Sequence, residues 1–266
     1  MNRRVTTTAA LWLALALPAA HAAAPAHLLQ VTAEGAVHRE GPQQLPAGSR
    51  FANAVLAAMP RRDAYLPGAS VLRVETRAEQ VRLRAGLLHD LQTVAEAIEA
   101  PAAVAASAHS LHAWVDSLPA SGREPIEGNA RRLEAGRGDS NRLLAAGDRF
   151  YFPERPVTVS VVGAVVRPCA LPHVPARDAV AYLADCAVDL SAADPDTLHV
   201  IQPDGSVQAL GIANWNRSPA QALAPGAIVY VPLRAKAVAD IAPELDAAMT
   251  RFLATLPLPH DALVTP

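Results

Sequence analysis

LLAAGDRFYFP, residues Leu143 to Pro153, returns later in the chain as LAPGAIVYVP, Leu223 to Pro232. Leu144, Ala145, Gly147, Tyr151 and Pro153 come back as Leu223, Ala224, Gly226, Tyr230 and Pro232. Each copy reads as a turn glycine, a short alternating run and a proline that ends a strand by withholding a ladder donor. A second phrase also recurs. VTAEGAVHR (Val31 to Arg39) matches VSVVGAVVR (Val159 to Arg167), with Gly35-Ala36-Val37 falling on Gly163-Ala164-Val165. The front phrases lie 128 positions apart (Gly35 to Gly163) and the closing phrases 79 (Gly147 to Gly226), so the first copy carries 49 residues that the second lacks.

Those extra residues announce themselves by a change of period. From Arg77 to Leu118 strand alternation gives way to helical spacing, with Val81, Leu87, Leu88, Leu91, Val94, Ala95 and Ile98 on one stripe. Pro101 breaks the run, and Val104, Ala108, Leu111, Trp114, Val115 and Leu118 form a second stripe before Pro119 stops it. The insert, about 77–118, is predicted to be a helical hairpin.

The second copy shows the uninterrupted unit. VTVSVVGAV reads as a strand, ALPHV as a short strand past a turn, and ARDAVAYLADC as one short helix; TLHVIQPDGSVQAL is a hairpin around Asp204-Gly205, and AIVYVPL is the closing strand. A small mixed sheet crossed by one helix is an α+β unit. The chain therefore divides into a first unit over 27–155, a second over 156–234 and a terminal amphipathic helix over 238–257, where Ile241, Leu245, Met249, Phe252, Leu253 and Leu256 gather on one side. That helix is either a lid on its own domain or a partner-docking surface. Arg251 is the only Lys or Arg past Pro243, so anionic lipid is a poor match.

The N-terminus, MNRRVTTTAALWLALALPAAHA, reads as a secretory signal peptide over residues 1–22, too short in its apolar run to stay as a membrane span. Its removal takes Arg3 and Arg4 and no acid, so the formal charge falls from -2 to -4. A mildly acidic chain lacks the basic surface that nucleic acid needs. No transmembrane segment is expected in the mature chain, and no cysteine stands near the cut for lipid attachment. The expected address is the periplasm. There the two cysteines, Cys169 and Cys186, are read as a disulfide; the alternative is two separate buried thiols.

Catalytic spacing is scarce: the chain has no G-x-S-x-G, H-E-x-x-H, C-x-x-C, P-loop or dinucleotide fingerprint, and no cofactor or metal is expected. His109, His112 and Asp116 share a helical face but read as polar surface. Trp215, between Asn214 and Asn216, is the candidate aromatic for sugar contact, or else a plug over a small core with the two amides holding a turn. Trp114 reads as core. Arg123 falls where the chain returns from the hairpin toward the sheet: either trapped beneath the insert, needing carboxylate or carbonyl partners such as nearby Glu124 and Glu127, or a solvated turn residue.

Taken in order, the S-G-R segment after the hairpin, LLAAGDRFYFPERP leading into VTVSVVGAVVRP, VIQPDG, the W-N of IANWN, LAPGAIVYVPL and the terminal helix resemble the capsule biosynthesis GfcC family of Gram-negative bacteria. The resemblance spans nearly all of the mature chain. It implies two tandem β-grasp units akin to the SLBB domains of Wza-type polysaccharide export channels, the first interrupted by a helical hairpin. It also implies a non-enzymatic periplasmic role in capsule or exopolysaccharide assembly and export, with the export channel or the polymer as partner. The cysteine pair is not a feature of that family pattern, and EGNARRLEAGRGDSNR matches it poorly.

Overall fold

A computed structural model describes residues 27–136 and 140–259; the leader read over 1–22 lies outside them. Two five-stranded mixed sheets follow one another. The first holds β1 (Leu28–Gly35), β2 (Gly41–Pro46), β3 (Ser70–Leu72), β4 (Arg123–Pro125) and β5 (Arg149–Phe152) in the order β2-β1-β5-β3-β4. The second holds β6 (Thr158–Gly163), β7 (Cys169–Pro172), β8 (Thr197–Ile201), β9 (Val207–Gly211) and β10 (Ile228–Val231) in the order β7-β6-β10-β8-β9. The two orders are identical once each strand is matched to its copy. In both, the opening strand runs parallel to the closing strand and every other pairing is antiparallel.

The repeat extends to single hydrogen bonds. Ala36 N donates to Phe152 O at 2.7 Å, and Ala164 N to Val231 O at 2.8 Å. Phe51 N donates to Arg142 O, and Ala179 N to Gln221 O, at 3.0 and 2.9 Å. The shared glycine has a plain cause. Gly35 and Gly163 adopt φ of +86° and +107°, and a Cβ on either would stand 2.3 or 2.1 Å from the carbonyl oxygen of Phe152 or Val231. Only glycine lets the closing strand come that near.

Helices fill different roles in the two copies. In the first, α1 (Phe51–Ala58) packs on the sheet and carries α4 (Ala130–Ala135) over it; Phe51 meets Phe150 edge-on at 5.4 Å, and Arg73 and Arg142 lie over the Phe51 ring. In the second, a seven-residue 3-10 segment, Ala179–Asp185, replaces the short helix expected there. The inserted pair, α2 (Val74–Glu96) and α3 (Ala102–Ser117), contributes to the second unit's core rather than the first's: Leu87, Leu91, Val104, Ala108, Leu111 and Val115 join the second sheet in one cluster. After α5 (Ala235–Val238), α6 (Leu245–Leu253) packs against both α2 and β8. Consecutive buried residues along β6 and β10 reflect cover on both faces of that sheet.

Cys169 and Cys186 form a disulfide, as expected, tying β7 to the end of the 3-10 segment. The bond spans 17 positions. Replacing both cysteines by serine is expected to cost about 3 kcal/mol in the chain-entropy view, readable by urea titration of the two forms.

One polar pair crosses the apolar layer under α6. The Tyr230 hydroxyl donates to Asp246 Oδ1 at 2.9 Å, with His199 stacked on the Tyr230 ring. Burial pushes the Asp246 carboxyl up to about 6, opposed by the tyrosine hydrogen bond and assisted by the charge of Asp194. Because the folded form holds this proton more tightly than the unfolded chain, the stability is fully present below about pH 4 and is lost as pH rises through about 6. Asp246→Asn keeps an acceptor for Tyr230 without the charge. It is expected to stabilise the protein by roughly 1–2 kcal/mol at pH 8 and hardly at all at pH 4, which thermal melts at both pH values would measure.

Candidate functional site

The seam between the units is built around Arg123. This residue opens β4, on the edge of the first sheet, and its side chain is 3% exposed. Its guanidinium donates from Nη1 to Ala254 O at 2.8 Å, at the end of α6, and from Nη2 to Pro203 O at 2.5 Å, in the β8–β9 turn. The buried alternative is therefore the one realised, but its partners are carbonyls from the second unit and the terminal helix rather than Glu124 or Glu127. Glu124 instead bonds Thr76 and Arg142. Burial lowers the Arg123 pKa to about 10, partly offset by the charge of Asp204, so the side chain stays cationic at neutral pH. Its Nε has no hydrogen-bond partner among the described residues.

Gln80, on α2 and 4% exposed, holds the backbone around Arg123 from the other side: Oε1 accepts from Gly122 N at 2.7 Å and Nε2 donates to Arg123 O at 2.8 Å. Gly122 has φ +79°, and a Cβ there would meet Arg73 O at 2.3 Å. A third tie is apolar. Leu258 sits close to both halves: a Cβ on Gly68 would come 2.6 Å from one of its methyls, and a Cβ on Gly226 2.9 Å from the other. Beside Arg123 the seam opens into a crevice of about 530 Å³ lined by Pro67, Pro125, Glu127, Asn129, Arg132 and Asp204, among others. Several of its polar groups are already engaged: Asn129 caps α4, Arg132 lies 3.6 Å from Glu127, and Asp204 accepts from Ser206.

Trp215 stands apart from this seam. It is 77% exposed, so the reading of it as a plug over the core is overturned. Its indole Nε1 donates to Asp196 Oδ1 at 3.3 Å, while Asn216 does hold the turn, bonding Ala213 N and Asp196 O. Asn214 accepts from Arg217. The result is a loop that presents an aromatic face to solvent. Leu245, Met249, Phe252, Leu253 and Leu256 are all buried in the chain's own second core, so the apolar face of the terminal helix is a lid already closed and not a free partner-docking surface. The cause is that α6 packs against both α2 and β8.

His109 and Asp116 are exposed, and no group of three His, Cys, Asp or Glu side chains is placed to hold a metal among the described residues. Trp114 packs against the second core. Within the described residues no helix is long and apolar enough to cross a membrane. Gln80 and Leu258 escaped the sequence reading: a glutamine on a polar helix and a leucine near a terminus carry no local signal.

A family model described as capsule biosynthesis GfcC C-terminal matches residues 167–256. A protein named YjbG, of Escherichia coli (strain K12) and uncharacterized, is 31% identical over 180 residues, covering 67% of this chain and 71% of that protein.

Proposed function

The chain belongs to the capsule biosynthesis GfcC family, and from that premise we propose that it is a periplasmic, non-enzymatic accessory protein of capsule or exopolysaccharide assembly and export, built of two SLBB-like β-grasp units. The observation that carries this reading is the strand order of each sheet: a parallel opening and closing pair at the centre, with antiparallel strands outward on both sides. The disulfide agrees with an oxidising compartment. Outer strands β2, β7 and β9 end their sheets, and a sheet edge offers the donors and acceptors with which a like module of a Wza-type channel pairs.

The exposed Trp215 favours a second reading, direct contact with the polysaccharide through sugar stacking on its face. One pair of experiments separates the two. Co-elution of the mature protein with the channel subunit, with no response of Trp fluorescence to capsule oligosaccharides, is the expected result. Saturable quenching that disappears in Trp215→Ala, without co-elution, would replace the accessory role by glycan binding.

A further inference from the structure

Four strands end the two sheets, and their outward backbone groups are not alike. In an antiparallel pair, successive residues alternate between bonding the neighbouring strand and pointing away from it. Thr32 N donates to Asp148 O and Gly147 N to Gln30 O, so the even positions of β1 face β5 and the odd ones face β2. On β2 this leaves Pro42, Gln44 and Pro46 turned outward. Two of the three have no N–H to give, and Pro46 O already accepts from Ser49 N. On the other copy, Ser160 N donates to Ala227 O and Gly226 N to Thr158 O, which turns Ala170 and Pro172 of β7 outward, with Pro168 just before the strand. Prolines at such places keep a further strand from adding to an edge. The edge of β4 is closed differently: its outward residues are Arg123, whose carbonyl accepts from Gln80 Nε2, and Pro125, which has no N–H.

None of these guards is present on β9. Gln202 N donates to Ser206 O and Ile212 N to Asp196 O, which fixes the alternation of the β8–β9 hairpin and turns Val207, Ala209 and Gly211 outward. Gly211 is taken, because its N–H donates to Ser218 Oγ and its carbonyl accepts from Ser218 N as the loop through Trp215 folds back beside it. Val207 and Ala209 are exposed, and among the described residues nothing bonds the two N–H and two C=O groups that they turn outward. From Ser206 to Leu210 the strand carries neither a proline nor a charged side chain.

We infer that β9 is the edge through which this protein holds a partner. An extended segment of another protein adds to the second sheet as a sixth strand, exchanges main-chain hydrogen bonds with Val207 and Ala209, and lays a β-branched or other apolar side chain beside Val207. A second copy of this chain does not fit the place. Pairing Val207 with Ala209 of the copy, the antiparallel register that uses both free residues, sets Gly205 of the copy opposite Gly211, where Ser218 already stands. A foreign segment ends or turns away at that level. The inference rests on the accessory-protein reading above and narrows its sheet edges to one.

The test mixes the mature protein with the purified channel subunit and follows backbone hydrogen exchange by mass spectrometry. Exchange in 206–210 is expected to slow about tenfold or more on binding, while 41–46 and 168–172 stay as they were. Ala209→Pro removes an outward N–H that β8 does not use, and is expected to weaken co-elution with the subunit about tenfold or more. Val207→Lys, which leaves every backbone group in place, is expected to act in the same direction, and it carries the test if the proline unsettles β8. Ala170→Pro, on the β7 edge, is expected to leave co-elution unchanged. Slowed exchange on β2 or β7 instead of β9, co-elution indifferent to both β9 variants, or a dimer of this chain alone with 206–210 protected would overturn the proposal and leave the accessory role standing. Absence of any co-elution would remove the accessory role, and this inference with it.

Discussion

Arg123→Met is expected to destabilise the protein by about 3 kcal/mol, although methionine nearly matches the arginine stem in volume. The substitution leaves Ala254 O and Pro203 O without their donors in a buried seam, and an unmet buried acceptor costs roughly 1–3 kcal/mol. Part of that loss is returned, because a cation no longer has to be held away from water, as its lowered pKa of about 10 records. Arg123→Lys keeps the charge but lacks the fork that reaches two carbonyls on two segments, and should recover less than half of the loss. Urea unfolding followed by far-UV circular dichroism reads all three proteins. Near-wild-type stability of Arg123→Met would mean that the seam is held by Leu258 and α6 without it.

A larger effect is expected at Gly163. Gly163→Ala must adopt φ +107° and place a methyl 2.1 Å from Val231 O, so β10 has to move or the strand end has to unwind. Backbone strain of about 1–3 kcal/mol and overpacking of about 1–3 kcal/mol add to roughly 2–6 kcal/mol. Gly35→Ala, 2.3 Å from Phe152 O, should behave alike in the first unit. Gly147→Ala provides the control: φ is +83° but a Cβ there meets nothing within 4 Å, so only the backbone term of about 1 kcal/mol remains. Equal losses at Gly163 and Gly147 would refute the close-approach explanation of the repeated glycine.

How much of this was legible follows the distance over which each interaction acts. The front phrase of each copy carries a glycine, Gly35 or Gly163, that a nearby carbonyl demands, a local constraint that survives as sequence, and the duplicated phrases point to two α+β units. Helical period marks α2 and α3 because an amphipathic stripe is written in a single stretch. The cysteine pair follows from an expected oxidising address and from there being two cysteines. Arg123 shows the limit: its carbonyl partners stand 131 and 80 positions away, and no local pattern announces a bond to a backbone oxygen. The terminal helix misled for a related reason, since an apolar face looks the same whether it awaits a partner or already lies on α2. Trp215 misled in the opposite sense: its neighbours hold the turn as read, while Asp196 keeps the ring outward. The short helix of the second copy tightens to 3-10 geometry, a distinction that apolar spacing over seven residues does not carry.

Arg123, Gln80, Leu258 and the shared core of α2, α3, α6 and the second sheet join the two copies at several points. The most direct measurement is the partition of polymer between cell surface and cell envelope in a strain deleted for this protein. The account predicts that surface polymer falls while polymer of unchanged chemical structure accumulates inside the envelope, and that the wild-type chain restores export. Unchanged surface polymer, or polymer of altered linkage or composition, would contradict it.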